Sequence, residues 1–173
     1  YNASRMINSV NASIDYQISD AFFINAGARY DNLQMDVNWI TAQQRTGGEN
    51  NLDRNYILPS LNAKYNFNED NLLRLAFSKT YTYPQFKEIA PFPYEGVDYI
   101  EVGNENLKPS DNYNIDLKWE MYPERDELIS ATIFTKFVQN AINRVELVAA
   151  SERFFSYKNT GDSKIYGAEI ELR

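Results

Sequence analysis

The sequence contains no cysteine and no histidine among its 173 residues. Without cysteine, disulfide bonds and thiolate metal sites are excluded. Without histidine, the chain lacks the most frequent general base and metal ligand. Only 17 lysine and arginine residues stand against 24 aspartate and glutamate residues. We therefore expect no nucleic-acid partner, because no basic surface is available to neutralise phosphates.

Long apolar runs are also missing. No stretch approaches the roughly 18 consecutive apolar residues that indicate a transmembrane helix. The first residues do not form a signal peptide, and both ends of the chain lie within a strand-like pattern. We therefore expect a part of a larger protein. No phosphate-binding glycine loop, zinc-ligand spacing or calcium-loop motif occurs, so the sequence predicts no cofactor, no metal site and no enzyme.

Apolar and polar residues alternate along nearly the whole chain, which predicts β-strands. Seven strands are expected, each with one apolar face. Their apolar rows are Val10, Ala12, Ile14 and Tyr16; Phe22, Ile24, Ala26, Ala28 and Tyr30; Ile57, Leu61, Ala63, Tyr65 and Phe67; Leu73, Leu75, Phe77 and Tyr81; Tyr113, Ile115, Leu117, Trp119 and Met121; Ile129, Ala131, Ile133 and Phe137; and Tyr166, Ala168, Ile170 and Leu172.

Three positions depart from the simple pattern. The apolar phase of the second strand changes near Asn32, and Leu33 to Trp39 continue on the opposite parity, so we predict a β-bulge there. Pro59 removes a ladder donor within the third strand. Lys79 interrupts the outward row of the fourth strand, where it is expected to extend its ammonium group toward a membrane rim.

The connections between predicted strands alternate in length. Short turns follow strands one, three and five, whereas long loops over residues 42–54, 84–111 and 141–163 follow strands two, four and six. In an antiparallel sheet this places all short turns at one end, an asymmetry typical of outer-membrane β-barrels. Aromatic residues near the short turns fit a membrane interface. The alternative is a soluble all-β binding or adhesion module whose apolar face lies in a core.

Two motifs in order carry a family resemblance. The first is a strand and loop, and the second is the run of residues 103–109, GNENLKP. The first comprises Arg74, Leu75, Ala76, Phe77, Ser78, Lys79, Thr80, Pro84, Phe86, Glu88, Ile89, Ala90, Pro91 and Phe92. Together they resemble the carboxyl-terminal half of the barrel in TonB-dependent outer-membrane receptors. Ser110 stands where that family usually has an acidic residue.

The resemblance implies an all-β fold, an antiparallel meander of about seven strands forming part of a large transmembrane β-barrel. Residues 1–173 would be a partial barrel domain in the cell outer membrane, with the plug and the remaining strands elsewhere. The implied function is TonB-energised uptake of a scarce ligand: a siderophore, haem, cobalamin, glycan or peptide. The implied partners are membrane lipid, TonB acting through the plug, and a small extracellular ligand. A passive porin-like barrel is the alternative.

Candidate ligand-binding residues lie in the second and third long loops, where rigid aromatic rings alternate with acidic groups. They are Tyr94, Glu95, Asp98, Tyr99, Glu101, Phe154, Phe155 and Tyr157. By contrast, Phe86 and Phe92 are expected to pack their loop onto the barrel rim or the plug. Carboxylate pairs on the polar strand faces, such as Glu169 with Glu171 and Asp116 with Glu120, are expected to line the lumen and pair with Lys118 or Arg173 rather than to act in catalysis.

Overall fold

The computed structural model describes residues 2–40, 47–124, 126–147 and 153–173, which form two sheets and one short helix. The larger sheet, here the wall sheet, contains β1 (Asn2–Gln17), β2 (Phe22–Trp39), β3 (Gly48–Asn66), β4 (Asn71–Thr82), β7 (Ser110–Met121), β8 (Ile129–Gln139) and β11 (Ser163–Leu172). The smaller one, here the loop sheet, contains β5 (Pro93–Glu95), β6 (Tyr99–Val102), β9 (Ile142–Leu147) and β10 (Arg153–Asn159), and the helix is α1 (Phe86–Ile89).

The wall sheet confirms the predicted meander of seven antiparallel strands. Each strand pairs with the next one of the sheet along the chain, in the order β1-β2-β3-β4-β7-β8-β11. The turn between β3 and β4 shows why the short connections are tight: Oδ1 of Asn68 accepts hydrogen bonds from the backbone N–H groups of Asp70 and Asn71, at 3.0 and 2.8 Å. A side-chain carbonyl thereby replaces a main-chain acceptor in the turn.

The register brings the predicted apolar rows onto one side of the wall sheet, here the outer face. One cross-strand row runs through all seven strands: Ile14, Ala26, Leu61, Phe77, Ile115, Thr135 and Tyr166. Large apolar side chains on this face are exposed: Ile14 by 72%, Ile133 by 58% and Ile170 by 78%. Side chains in a soluble core would be covered, so this face matches a surface that contacts lipid.

The opposite side of the wall sheet, here the inner face, is polar and carries the expected ion pairs. Glu120 binds Arg74 at 3.0 Å and Lys118 at 3.1 Å, and Glu171 binds Arg173 at 2.6 Å. The predicted pairing with Lys118 and Arg173 is therefore confirmed for Glu120 and Glu171. Among the described residues, Asp116 and Glu169 form no ion pair with either cation.

The predicted bulge in β2 is wrong. Residues pair one to one along the entire strand, from Asn2 opposite Asn38 to Gln17 opposite Phe23 on one side. The pairing with β3 is equally unbroken. The apolar side chains of β2 change face because the environment of its inner face changes. Beyond Asp31 this face is buried under loop residues instead of facing a polar lumen. The inward side chains there are Leu33, Met35, Val37 and Trp39, none more than 6% exposed.

Helix α1 provides that cover. Ile89, 2% exposed, packs with Met35, Val37 and Trp39 in a small core. Phe86 and Phe92 border the same core, which confirms that they pack their loop onto the rim of the sheet. Glu88 begins the helix by accepting the backbone N–H of Gln85 at 2.8 Å. Within the described residues, no helix is both long and apolar enough to cross a bilayer.

The upper part of β4 separates from β3. Their register begins at Ser60 opposite Ser78, so Pro59 lies just outside it and its missing donor disrupts no β3–β4 pair. The ring of Tyr81 stacks on the ring of Tyr56 at 3.9 Å, on the inner side. The prediction that Tyr81 points outward is therefore wrong, because β4 leaves β3 beyond Ser78 and the Tyr81 side chain reaches across the gap to Tyr56 and Asp31.

The long connections are more ordered than the sequence predicted. In the loop predicted over residues 42–54, β3 already begins at Gly48, and residues 42–46 lie outside the described part. The loop over 84–111 contains α1, β5 and β6, and the loop over 141–163 contains β9 and β10. Residues 148–152 of the latter lie outside the described part.

Candidate functional site

The loop sheet joins the second and third long connections. Its strand order is β5-β6-β10-β9, and the central pair, β6 and β10, is parallel. Phe154 opposes Ile100 and Phe155 opposes Glu101 in that pair. Two segments separated by about fifty positions thus form one surface at the end of the wall sheet that carries the long loops.

β9 and β10 continue the hairpin of β8 and β11. Ser163 opposes Val138 in the wall, and Asn159 opposes Ile142 beyond it, which is the same register. The interruption between the two halves has positive φ at Asn140 (55°) and Gly161 (94°), and such angles suit asparagine and glycine. The third long connection is therefore the upper half of a bent hairpin. Odd-numbered residues of β10 lie on the side that continues the inner face of the wall sheet.

Strand alternation selects which candidates share a face. Five of the eight predicted binding residues lie on one face of the loop sheet: Tyr94, Tyr99, Glu101, Phe155 and Tyr157. Arg144 joins them, since it opposes Tyr157. Here this surface is called the aromatic face.

Glu101 lies at the centre of the aromatic face and is only 3% exposed. Its carboxylate accepts hydrogen bonds from the Tyr157 hydroxyl and from Lys87 at 3.1 Å, and Arg144 lies 3.5 Å away. Burial by itself would raise the pKa of Glu101, but these donors and cations outweigh it and hold that pKa below its ordinary value. Burial together with the Glu101 carboxylate raises the pKa of the Tyr157 hydroxyl to about 12.

Cation–aromatic contacts surround this carboxylate. The guanidinium carbon of Arg144 lies 3.8 Å from the centre of the Phe155 ring and 5.0 Å from that of Tyr99. The Tyr99 and Phe155 rings meet edge to face at 5.8 Å, a geometry that aromatic quadrupoles favour. Lys87 lies 5.0 Å from the Tyr94 ring. The aromatic face therefore combines aromatic rings with the partly exposed cations Lys87 and Arg144.

The other three candidates lie elsewhere. Glu95 and Phe154 alternate onto the opposite face of the loop sheet. Asp98 is exposed in the β5–β6 turn, which the hydrogen bond from Gly96 N–H to the Tyr99 carbonyl closes at 2.8 Å. The structure therefore does not bring all eight predicted residues together.

The GNENLKP motif fastens the loop sheet to α1. The backbone N–H of Asn104 donates to the Glu88 carbonyl at 2.6 Å, and its side-chain amide donates to the Tyr157 carbonyl at 2.8 Å. Gly103 packs so closely on the backbone of Ala90 that a Cβ atom would overlap it. The motif thus has a structural role here, holding helix α1, β6 and β10 in one unit.

A second clamp involves Asn159. Its Oδ1 accepts the backbone N–H of Lys108 at 2.9 Å, and its Nδ2 donates to the Lys108 carbonyl at 2.8 Å. The same Nδ2 lies 2.8 Å from the Asn140 carbonyl. Because one side chain bonds the motif and the hairpin bend together, the two long connections do not depend on β6–β10 pairing alone.

Sequence reasoning missed Arg144 and Lys87 as members of the aromatic face. Arg144 is missed because the sequence predicts a loop where β9 lies. The signal that finds it is an alternating segment opposite residues 153–159, in the register of β8 and β11. Lys87 comes from α1, and no local pattern connects it with Glu101. The described residues contain no group of three or more acidic side chains placed to hold a metal ion.

The geometry defines a class: a segment of membrane β-barrel wall whose long connections fold into a second, smaller sheet. Comparison with known proteins agrees. The family model described as TonB dependent receptor-like, beta-barrel, matches residues 2–173. The chain therefore belongs to the TonB-dependent receptor family, whose barrels lie in the outer membrane and whose members are receptors rather than enzymes.

Solved structures share the fold. A double mutant of the hemophore receptor HasR from Serratia marcescens, in complex with its hemophore HasA and heme, has a TM-score of 0.72 at 17% identity, covering 97% of this chain and 31% of that one. A mutant of the ferric enterobactin receptor PfeA from Pseudomonas aeruginosa has a TM-score of 0.68 at 18% identity, covering 97% of this chain and 24% of that one. The copper transporter OprC has a TM-score of 0.77 at 12% identity, covering 97% of this chain and 26% of that one. The chain thus spans about a quarter to a third of these proteins. No curated protein matches it significantly.

Proposed function

We propose that this chain supplies barrel wall and extracellular ligand-binding surface to a receptor for TonB-energised uptake. The observation that carries the proposal is the parallel pairing of β6 and β10, which turns two extracellular connections into one aromatic face. Membership of the family supports coupling to TonB through a plug domain outside this chain. Membrane lipid around the wall and a small ligand above it are the further partners of the proposal.

Within the aromatic face we assign two kinds of role. Tyr94, Tyr99 and Phe155 contact the ligand, because their rings are at least partly exposed. Glu101 and Tyr157 position that surface, because their polar atoms are engaged with each other and with Lys87 and Arg144. Of the remaining candidates, Asp98 contributes to ligand binding from the exposed β5–β6 turn. Glu95 and Phe154 contribute to it from the face of the loop sheet opposite the aromatic face.

The ligand class stays open among ferric siderophores, haem, cobalamin, glycans and peptides. HasR binds heme and its hemophore, PfeA is a ferric enterobactin receptor and OprC is a copper transporter. At identities below one fifth, these proteins share a fold with the chain and do not select its ligand.

Uptake by the complete receptor tests the proposal. We would express it in a Gram-negative host that lacks its own iron, haem and cobalamin receptors, and measure accumulation of each labelled compound. We expect accumulation of one class, its loss when TonB is deleted, and a large reduction in Phe155→Ala. Val145→Ala, on the opposite face of the adjacent strand, is the matched control. Accumulation independent of TonB would support a passive porin-like barrel instead.

A further inference from the structure

The outer face of the wall sheet contains a mixed row near its upper end. In register across four neighbouring strands lie Lys79, Tyr113, Phe137 and Lys164. Lys79 lies 5.4 Å from the Tyr113 ring, and Lys164 lies 5.0 Å from the Phe137 ring. When a lysine side chain lies along aromatic rings at the edge of an apolar surface, its ammonium group reaches the depth of the lipid headgroups.

The depth of this row is consistent with a membrane interface. Lys79 lies eight residue steps from Asn71 at the opposite end of β4, which is about 26 Å along the strand. With the usual tilt of roughly 40°, the rise is about 20 Å, comparable with the apolar band of an outer-membrane barrel, which is about 25 Å tall. The row therefore lies at the rim on the side of the long loops.

The two lysines differ in their surroundings. Lys79 forms an ion pair with Asp111 at 3.1 Å. The nearby Asp162 accepts the backbone N–H of Asn140 at 3.3 Å. Among the described residues, no carboxylate lies within ion-pair distance of Lys164, whose ammonium group contacts the Phe137 ring. Lys164 is thus the cation of the row that is available to an external anion.

An apolar groove of about 720 Å³ lies immediately below this row on the outer face. Its lining includes Ala168 of β11 and Ile133, which lies opposite it on β8. The Thr135 hydroxyl, also in the lining, donates to the Ile165 carbonyl at 3.2 Å. Tyr166, which is 83% exposed, forms one wall. The groove begins two residues from Lys164 along β11, so a cationic site and a hydrocarbon site adjoin on one strand.

From this adjacency we infer that the outer face carries a binding site for an anionic, phosphate-bearing lipid of the outer leaflet. Lys164 holds the headgroup phosphate, and the groove between Tyr166 and Ile133 takes an acyl chain. The charge of the lipid complements the Lys164 ammonium group, which has no carboxylate partner within the described part of the chain, and the groove faces the hydrocarbon region. This site is distinct from the aromatic face and does not depend on the identity of the imported ligand.

Native mass spectrometry of the complete receptor in detergent tests the inference, with phosphatidylglycerol and phosphatidylcholine of identical chains as probes. We expect the wild type to prefer phosphatidylglycerol. Lys164→Gln should reduce that preference about fivefold, the effect of roughly one lysine near an anionic headgroup. Lys136→Gln, which removes the same charge from the inner face of β8, should leave the preference unchanged.

The groove is tested separately. Ala168→Phe fills it with an apolar side chain that lipid tolerates, so the barrel is expected to fold. This variant should weaken the binding of both lipids equally, whereas Ala12→Phe on the outer face of β1 should weaken the binding of neither. Equal binding of the two lipids by the wild type, or a Lys164→Gln variant that keeps the full preference, would overturn the headgroup assignment. Equal effects of Ala168→Phe and Ala12→Phe would overturn the acyl-chain assignment.

Discussion

The hydroxyl of Tyr81 donates a 3.1 Å hydrogen bond to Oδ2 of Asp31, across the gap where β4 leaves β3. Asp31 is 1% exposed and also binds Nε of Arg29 at 2.6 Å, while Arg29 reaches Oγ of Ser9 at 3.0 Å. This chain of contacts connects β1, β2 and β4. It holds the wall together at a height where the β3–β4 ladder has already ended.

Tyr81→Phe should therefore destabilise the barrel. The change removes one hydrogen bond to a buried carboxylate and keeps the ring stack on Tyr56, so we expect a loss of about 1.5–3 kcal/mol in the free energy of unfolding. Reversible urea unfolding of the complete barrel in detergent measures it. Tyr83→Phe is the control, because no hydrogen bond of the Tyr83 hydroxyl occurs among the described residues. Equal stabilities of the two variants would contradict a role for the Asp31 contact.

The outer and inner faces of β7 should respond differently to charge. Leu117 lies on the outer face and Asp116 on the inner one. We expect Leu117→Arg to cost about 2–4 kcal/mol if it lies near the bilayer midplane, because the guanidinium must be placed in hydrocarbon. Asp116→Arg should cost far less. Folding titrations into lipid vesicles compare the two, and similar costs would contradict the lipid-facing assignment.

Asn104→Ala should loosen both long connections at once. It deletes the side-chain hydrogen bond to the Tyr157 carbonyl and the acceptor for the Asn106 backbone N–H at 3.0 Å. We expect amide hydrogen exchange in β6 and β10 to accelerate about tenfold or more, a local cost of roughly 1–3 kcal/mol. Asn106→Ala, at an exposed position of the same motif, is the control. Faster exchange confined to residues 103–109 would show that the motif does not couple the connections.

The loop sheet should be most protected between the titrations of Glu101 and Tyr157. The folded pKa of Glu101 is lowered, so its contribution is present above the ordinary value of 4.5 and is lost as pH falls through the lower folded value. The pKa of Tyr157 is raised to about 12, so its contribution is complete below 10 and is lost as pH rises toward 12.

Hydrogen exchange of β6 and β10, corrected for the intrinsic rate at each pH, measures this profile. We expect a plateau at neutral pH with losses of protection at both extremes. Glu101→Gln should remove the acid-side loss, since an amide does not titrate. An unchanged acid limb in that variant would mean that another carboxylate is responsible.

Alternation of apolar residues predicts the seven wall strands because the outer row of each strand faces lipid along its length. Sequence cannot predict what covers a strand once it leaves that environment. Leu33 to Trp39 keep an unbroken register and turn apolar on the inner face because α1 lies there. Tyr81 turns inward because the β3–β4 ladder ends at Ser60 and Ser78, which leaves a gap where its ring stacks on Tyr56.

The sequence predicts which types of residue form the candidate site, but not how they are arranged. The aromatic and acidic residues were found from the sequence, but the parallel pairing of β6 and β10 depends on contacts between distant segments. That pairing decides that Phe155 shares a face with Glu101 and that Phe154 does not. Burial of Glu101 depends in turn on Lys87 and Arg144, which come from two other elements.

The unbroken register of the bent hairpin has an evolutionary consequence. Inserting or deleting a single residue within β10 would rotate Phe155 and Tyr157 to the far side of the loop sheet and bring Phe154 and Ser156 into their place, while β11 below the bend at Gly161 would stay as it is. Receptors built in this way can therefore acquire a new recognition surface through a change of length, without any adjustment of the part that resides in the bilayer.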